Sequence, residues 1–221
     1  RQMIHNVAQP LGPAMVPHDW QAAIVHIGPV ARECHPALAS AFGNAFVGLT
    51  PQGWMRQWDK SGQVSHCRWR EAEGLLARAD AVVLSLEDLG GNWDLAVEYA
   101  TQTRLLVLTQ GAGGCTVFAA GETHYFPALE VDEVDSTGAG DVFAASFFYA
   151  VERGSKRAGG YDPRTAAHFA NCLAGQSVTR SGLSSTPSAE EVAHCRRGTL
   201  SGHSAEPLRD GEGDAHHLCV G

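Results

Sequence analysis

The chain has 221 residues, 44% of them hydrophobic, and a formal net charge of −8, enough apolar material for one substantial core. Excess negative charge, with Lys60 and Lys156 as the only lysines, argues against a nucleic-acid partner, because phosphate backbones recruit proteins through Lys and Arg. No apolar run approaches bilayer length and no signal-peptide pattern opens the chain, so no membrane partner is expected.

In chain order, the apolar runs 22–27, 81–84 and 105–108 predict buried strands of a mostly parallel sheet. Trp54 and Trp58 have the spacing of neighbours on one helical turn, which favours plain packing over a ring platform for a sugar. Between the last two strands, residues 92–103 place Trp93, Ala96, Val97 and Ala100 on one helical face. Strand, helix, strand is the unit of an α/β layer fold. Residues 115–119 and 122–126 flank Ala120-Gly121 and predict an antiparallel hairpin.

Two long helices follow. Val142, Phe143, Ser146, Phe147, Ala150 and Val151 form one stripe, ending at Gly154. Asp162-Pro163 predicts the start of the second, with Ala166, Phe169, Ala170, Leu173, Ala174 and Val178 as its stripe. A last short helix begins at Ser188, with Glu191 closing a capping box. Residues 1–198 are expected to form the folded domain, and 199–221, rich in Gly, Ser, His and acids, a disordered tail.

Cys34, Cys67, Cys115, Cys172, Cys195 and Cys219 contain no C-x-x-C pair, and the expectation is six reduced thiols in a cytoplasmic protein. His168 and Cys172 stand four apart, and His216, His217 and Cys219 lie in the tail. Neither group has the second ligand pair that would make it a metal site.

The segment Asp135-Ser136-Thr137-Gly138-Ala139-Gly140-Asp141-Val142-Phe143 carries the chemistry. Its small residues open directly into an amphipathic helix, where unpaired amides at the positive end of the helix dipole make an anion site. Asp141 stands at the edge of that site, placed to take a proton from a hydroxyl attacking a phosphoryl group. Spacing alone equally allows a tight turn that merely caps the helix. A P-loop is absent, and the third glycine of a dinucleotide fingerprint would fall at Phe143, which sets aside a dinucleotide-dependent oxidoreductase.

This segment resembles the D-T-x-G-A-G-D-x-F signature of the ribokinase-like (phosphofructokinase-B type) carbohydrate kinases. Thr109-Gln110-Gly111-Ala112-Gly113-Gly114 resembles the family's nucleotide turn, and Ser177-Val178-Thr179-Arg180-Ser181-Gly182 its V-T-R-x-G loop. Val25-His26-Ile27-Gly28-Pro29-Val30 resembles the strand end where substrate-side residues gather.

The resemblance implies a three-layer fold and an ATP-dependent phosphotransferase acting on a sugar, polyol or nucleoside. Asp141 would be the catalytic base, and Gly138, Ala139 and Gly140 the anion hole. Thr109, Gly111, Gly114, Asp135, Thr137 and Asn171 would serve the nucleotide. Mg2+ is implied as cofactor, with K+ beside the V-T-R-x-G loop. The family's N-x-x-E is replaced by Ser85-Leu86-Glu87-Asp88, so Asp88 and Glu87 are the candidate metal ligands. Relatives carry about eighty further residues at the front, so the chain is expected to be N-terminally truncated, lacking the first strands and the lid. That departure keeps a second function open, a non-catalytic nucleotide-binding or scaffold relative. The substrate and the oligomeric state are not assigned.

Overall fold

The computed structural model describes residues 2–156 and 162–200. Its strands are β1 (Ile24–Ile27), β2 (Phe46–Leu49), β3 (Arg56–Trp58), β4 (Val64–His66), β5 (Ala81–Ser85), β6 (Leu105–Thr109), β7 (Cys115–Ala119) and β8 (Glu122–Phe126). The helices are α1 (Ala72–Arg78), α2 (Trp93–Ala100), α3 (Ala139–Ser155), α4 (Pro163–Ser177) and α5 (Ala189–Leu200). Six strands form one sheet in the order β1-β2-β5-β6-β7-β8, while β3 and β4 form a separate antiparallel pair. β1, β2, β5 and β6 run parallel, and β7 and β8 continue the sheet antiparallel.

Side-chain alternation along the strands builds two cores. Val82 and Leu84 of β5, with Leu106 and Leu108 of β6, face Leu76, Ala96 and Tyr99 of α1 and α2. Ala81, Val83, Leu105 and Val107 face the opposite way, onto Phe143, Phe147, Phe148, Phe169 and Leu173 of α3 and α4. A central sheet buried on both faces produces the apolar runs seen in the sequence. Each fully buried ring or branched chain contributes about 1.5–3 kcal/mol. Among the described residues, no helix is long and apolar enough to cross a membrane.

The hairpin falls at the expected residues, with Ala119 opposite Glu122. Asn92 caps α2 by accepting from Leu95 N–H at 3.1 Å, and Asp162 caps α4 by accepting from Thr165 N–H at 2.8 Å. The capping box also forms: Ser188 Oγ accepts from Glu191 N–H at 3.2 Å, and Glu191 Oε2 accepts from Ser188 N–H at 2.7 Å.

Four expectations are corrected. The buried face of α2 is Ala96 and Tyr99, while Trp93 and Val97 are exposed. Trp54 and Trp58 share no helical turn. Trp54 lies in the 3-10 turn Pro51–Met55 and stacks on Trp69 at 5.5 Å, whereas Trp58 belongs to β3. The helix that opens at Ser188 runs on to Leu200, so Thr199 and Leu200 are helical; the rest of the expected tail, with Cys219, lies outside the described residues.

Lastly, the six reduced thiols become three among the described residues, because Cys172 and Cys195 form a disulfide. Packing of α5 beside α4 brings their Cα atoms to 5.7 Å across 23 residues of sequence, a proximity that spacing cannot show. Of these three, the Cys115 thiol is pushed up to about 12 by burial, which disfavours its reactive thiolate form.

Candidate active site

On one edge of the sheet β1 and β2 end level at Ile27 and Leu49, and β5 and β6 run three residues further, to Ser85 and Thr109. At such an edge, open α/β sheets collect ligands, because loops and helix N-termini converge there. The turn before α3 is built for this role. Gly138 adopts φ 84°, a left-handed conformation that a side chain disfavours. Asp135 Oδ1 accepts from Thr137 N–H at 3.0 Å and Oδ2 from Gly182 N–H at 3.4 Å. These bonds, that of the Thr137 amide foremost, hold the Asp135 carboxyl below the usual carboxylate range. Val178 O accepts from the N–H groups of both Val134 and Asp135, at 2.8 and 3.1 Å. The V-T-R-x-G loop is thus tied to the signature turn.

The amides of the turn divide into two kinds. Ala139 N–H turns inward to Ser136 O at 3.1 Å, and Val142 N–H closes on Gly138 O at 2.9 Å. Among the described residues, no acceptor takes the N–H groups of Gly138, Gly140 or Asp141. The open donors therefore lie around Ala139 rather than on it. Asp141 stands exposed in the first turn of the helix these donors open.

A cavity of about 370 Å³ reaches Gly140 of the same turn. Its wall includes Thr109, Gly111, Gly114, Ala139, Gly140 and Asn171, and it is completed by apolar Leu129, Val131, Phe143 and Val178. That size and lining suit a flat organic group. Gly114, at φ 86°, lets the β6–β7 turn press against the chain leaving β8, where a Cβ would stand 2.1 Å from Phe126 O. Asp135 and Thr137 stand outside the wall and shape the turn instead.

Asn171 lines the cavity, yet its Nδ2 donates to Phe126 O at 3.3 Å and Pro127 O at 3.1 Å. It is a strut under the wall before it is a ligand contact. The segment carrying Leu129, Glu130, Val131 and Glu133 also lines the cavity and was not expected to. Its sequence signal is the mixture of apolar residues (Leu129, Val131, Val134) and acids (Glu130, Asp132, Glu133) within six positions.

Asp88 is tied into its own loop. Its Oδ2 accepts from Ser85 N–H at 3.1 Å, Ser85 Oγ accepts from Asp88 N–H at 3.0 Å, and Gln52 Nε2 donates to Oδ1 at 3.1 Å. Glu87 is exposed. No three His, Cys, Asp or Glu side chains converge as a metal cage among the described residues.

Residues 70–190 match the family described as pfkB family carbohydrate kinase. The chain is 31% identical over 137 residues to a fructokinase of Klebsiella pneumoniae, covering 55% of this chain and 43% of that protein. It is 30% identical over 121 residues to an ATP-dependent ribose-1-phosphate kinase of Halopiger xanaduensis, covering 53% and 39%. The matches thus span less than half the length of either relative.

Ribokinase of Thermotoga maritima superposes with a TM-score of 0.65 at 21% identity, over 86% of this chain and 62% of that one. Aminoimidazole riboside kinase of Salmonella enterica gives 0.63 at 21%, over 85% and 67%. The fold is therefore ribokinase-like.

Proposed function

The chain belongs to the pfkB family of carbohydrate kinases, and from that premise we propose that it is an ATP-dependent phosphotransferase. The acceptor is an alcohol group of a sugar, polyol or nucleoside. One observation carries this reading: the Asp141 carboxylate stands beside amides left open at the N-terminus of α3, where the apolar cavity ends. The cavity takes the nucleoside, and the open N–H groups of Gly138, Gly140 and Asp141 face the charge that develops on the migrating phosphoryl group. Asp141 accepts the proton of the attacking hydroxyl. Orientation and fixed dipoles supply most of the acceleration in such a transfer.

Mg2+ fits as an ion held mainly by phosphates and water, which is its habit at nucleotide sites. Asp88 would meet it with the lone pairs that Gln52 and Ser85 leave free, and Glu87 is exposed beside it. Bound there, the ion would neutralise charge shared between the phosphates. K+ fits less well. Val178 O accepts two backbone N–H groups, and Gln176 O accepts both the N–H and the hydroxyl of Thr179.

Calorimetric titration of Mg-ATP into the chain, followed by turnover with a panel of alcohols, tests the reading. Asp141→Asn should retain ATP affinity within about twofold and lose at least about 100-fold in kcat. Retained turnover would remove Asp141 from its role. A second reading, a nucleotide-binding relative without catalysis, is favoured by the engagement of Asp88 within its own loop. It gains if Mg-ATP binds and no alcohol in the panel is phosphorylated.

A further inference from the structure

A second cavity, of about 230 Å³, opens on the disulfide that joins α4 to α5. Cys172 and Cys195 both stand in its wall. The two residues are not equally reachable: Cys195 is 1% exposed, whereas Cys172 is partly exposed. Gln176 Nε2 serves both sulfurs, donating to Cys195 Sγ at 3.5 Å and to Cys172 Sγ at 3.8 Å. Among the described residues, no carboxylate lines this cavity, so no charge in its wall repels an incoming anion.

Only a thin partition separates this cavity from the one assigned to the nucleotide. Ala128, Leu129 and Asn171 line both. Leu129 has no slack toward α4, because a Cβ added at Gly175 would stand 2.8 Å from its own Cβ. A group that enters beside Cys172 therefore meets the back of the nucleotide wall. We propose that Cys172 is an exchange site for a low-molecular-weight thiol, and that the adduct formed there weakens nucleotide binding through Leu129 and Asn171. The effect on the nucleotide rests on the kinase reading above; the exchange does not.

Exchange begins when the small thiolate attacks Cys172 Sγ, on the more exposed side of the bond. A new disulfide forms between the small molecule and Cys172 as the Cys172–Cys195 bond breaks, and the electron pair leaves on Cys195 Sγ. Gln176 Nε2 is placed to donate to that thiolate, which then takes a proton from water. A second small thiolate attacks the outer sulfur of the mixed disulfide. It releases Cys172 as a thiolate and the small molecule as its own disulfide, so two thiols are oxidised and the protein pair is reduced. A cavity of this size suits a small thiol rather than a protein dithiol, which must bring its own fold to the bond.

The test is made on the full chain. After incubation with reduced glutathione, an acid quench and alkylation, peptide mass spectrometry should find glutathione on Cys172 far more than on Cys195. Equal labelling, or a disulfide that stays closed, overturns the site. Cys195→Ser removes the resolving thiol and traps an adduct loaded onto Cys172 from glutathione disulfide. Calorimetry of Mg-ATP should then give a Kd at least about fivefold higher for the loaded variant than for the same variant unloaded. Equal affinities overturn the coupling.

Cys172→Ser with Cys195→Ser, treated in the same way, should keep its ATP affinity. A change there would assign the effect to Cys34, Cys67 or Cys115 and overturn the proposal. Should Cys195→Ser fail to fold, the wild-type chain is titrated closed, opened by glutathione, and closed again. Its ATP affinity should fall and return, and a constant affinity overturns the coupling. If Mg-ATP binds no form of the chain, the nucleotide reading falls, and the peptide map alone judges the exchange.

Discussion

Glu191 shows how much one side chain can organise. Arg180 grips its carboxylate with both guanidinium arms, Nη1 to Oε1 at 2.6 Å and Nη2 to Oε2 at 3.3 Å, while Ser188 N–H donates to Oε2. The fork first, and Ser188 next, hold the Glu191 carboxyl at about 2, below an ordinary value of 4.5. A depressed folded pKa stabilises the fold above the unfolded pKa, and that contribution is lost as pH falls through the folded value. The difference in melting temperature between wild type and Glu191→Gln should be constant from pH 7 to 5, shrink below 4.5, and vanish near 2. Because the pair is partly exposed, its size is about 1 kcal/mol or less. A difference that does not depend on pH would show that the carboxylate charge contributes nothing.

At the scale of elements, ends matter more than middles. Asp162 satisfies an amide of α4 that has no partner inside the helix, and Pro163 presets the first turn. Asp162→Ala should lower stability by about 1 kcal/mol in denaturant melts without changing the m-value. Gly114→Ala should act differently, because it forces a Cβ against Phe126 O and Ala128 N in a left-handed backbone. A loss of about 3 kcal/mol or more is expected, together with weaker ATP binding in calorimetry, since the displaced turn lines the cavity. Normal ATP affinity in a destabilised Gly114→Ala would separate this turn from the nucleotide.

For the whole molecule, the disulfide between Cys172 and Cys195 pins α5 to α4, one residue from the strut Asn171. Closing a loop of this length restricts the unfolded chain by about 3 kcal/mol. Reduction, or Cys172→Ser with Cys195→Ser, should lower the melting temperature by about 6–12 °C. Thiol titration before and after reduction checks that two sulfhydryls appear. If the melting temperature stays put, packing between the helices alone holds them together.

Much of this protein could be read from residues near one another in the chain. The strands β5 and β6 stood out because a sheet covered on both faces makes its strands continuously apolar, and the helix starts at Asp162 and Ser188 because each satisfies an amide within three residues. The turn from Asp135 to Asp141 was legible for the same reason: its glycines, its helix start and its acid are contiguous. β2 escaped notice because Gly48 breaks its apolar run, and the face of α2 was misjudged because Trp93 and Val97 mimic a stripe that the sheet does not cover. The tertiary structure alone decided that Cys172 meets Cys195 and that Asn171 braces the chain leaving β8. Those juxtapositions join residues far apart in sequence, and local propensity carries no record of partners that only packing brings together.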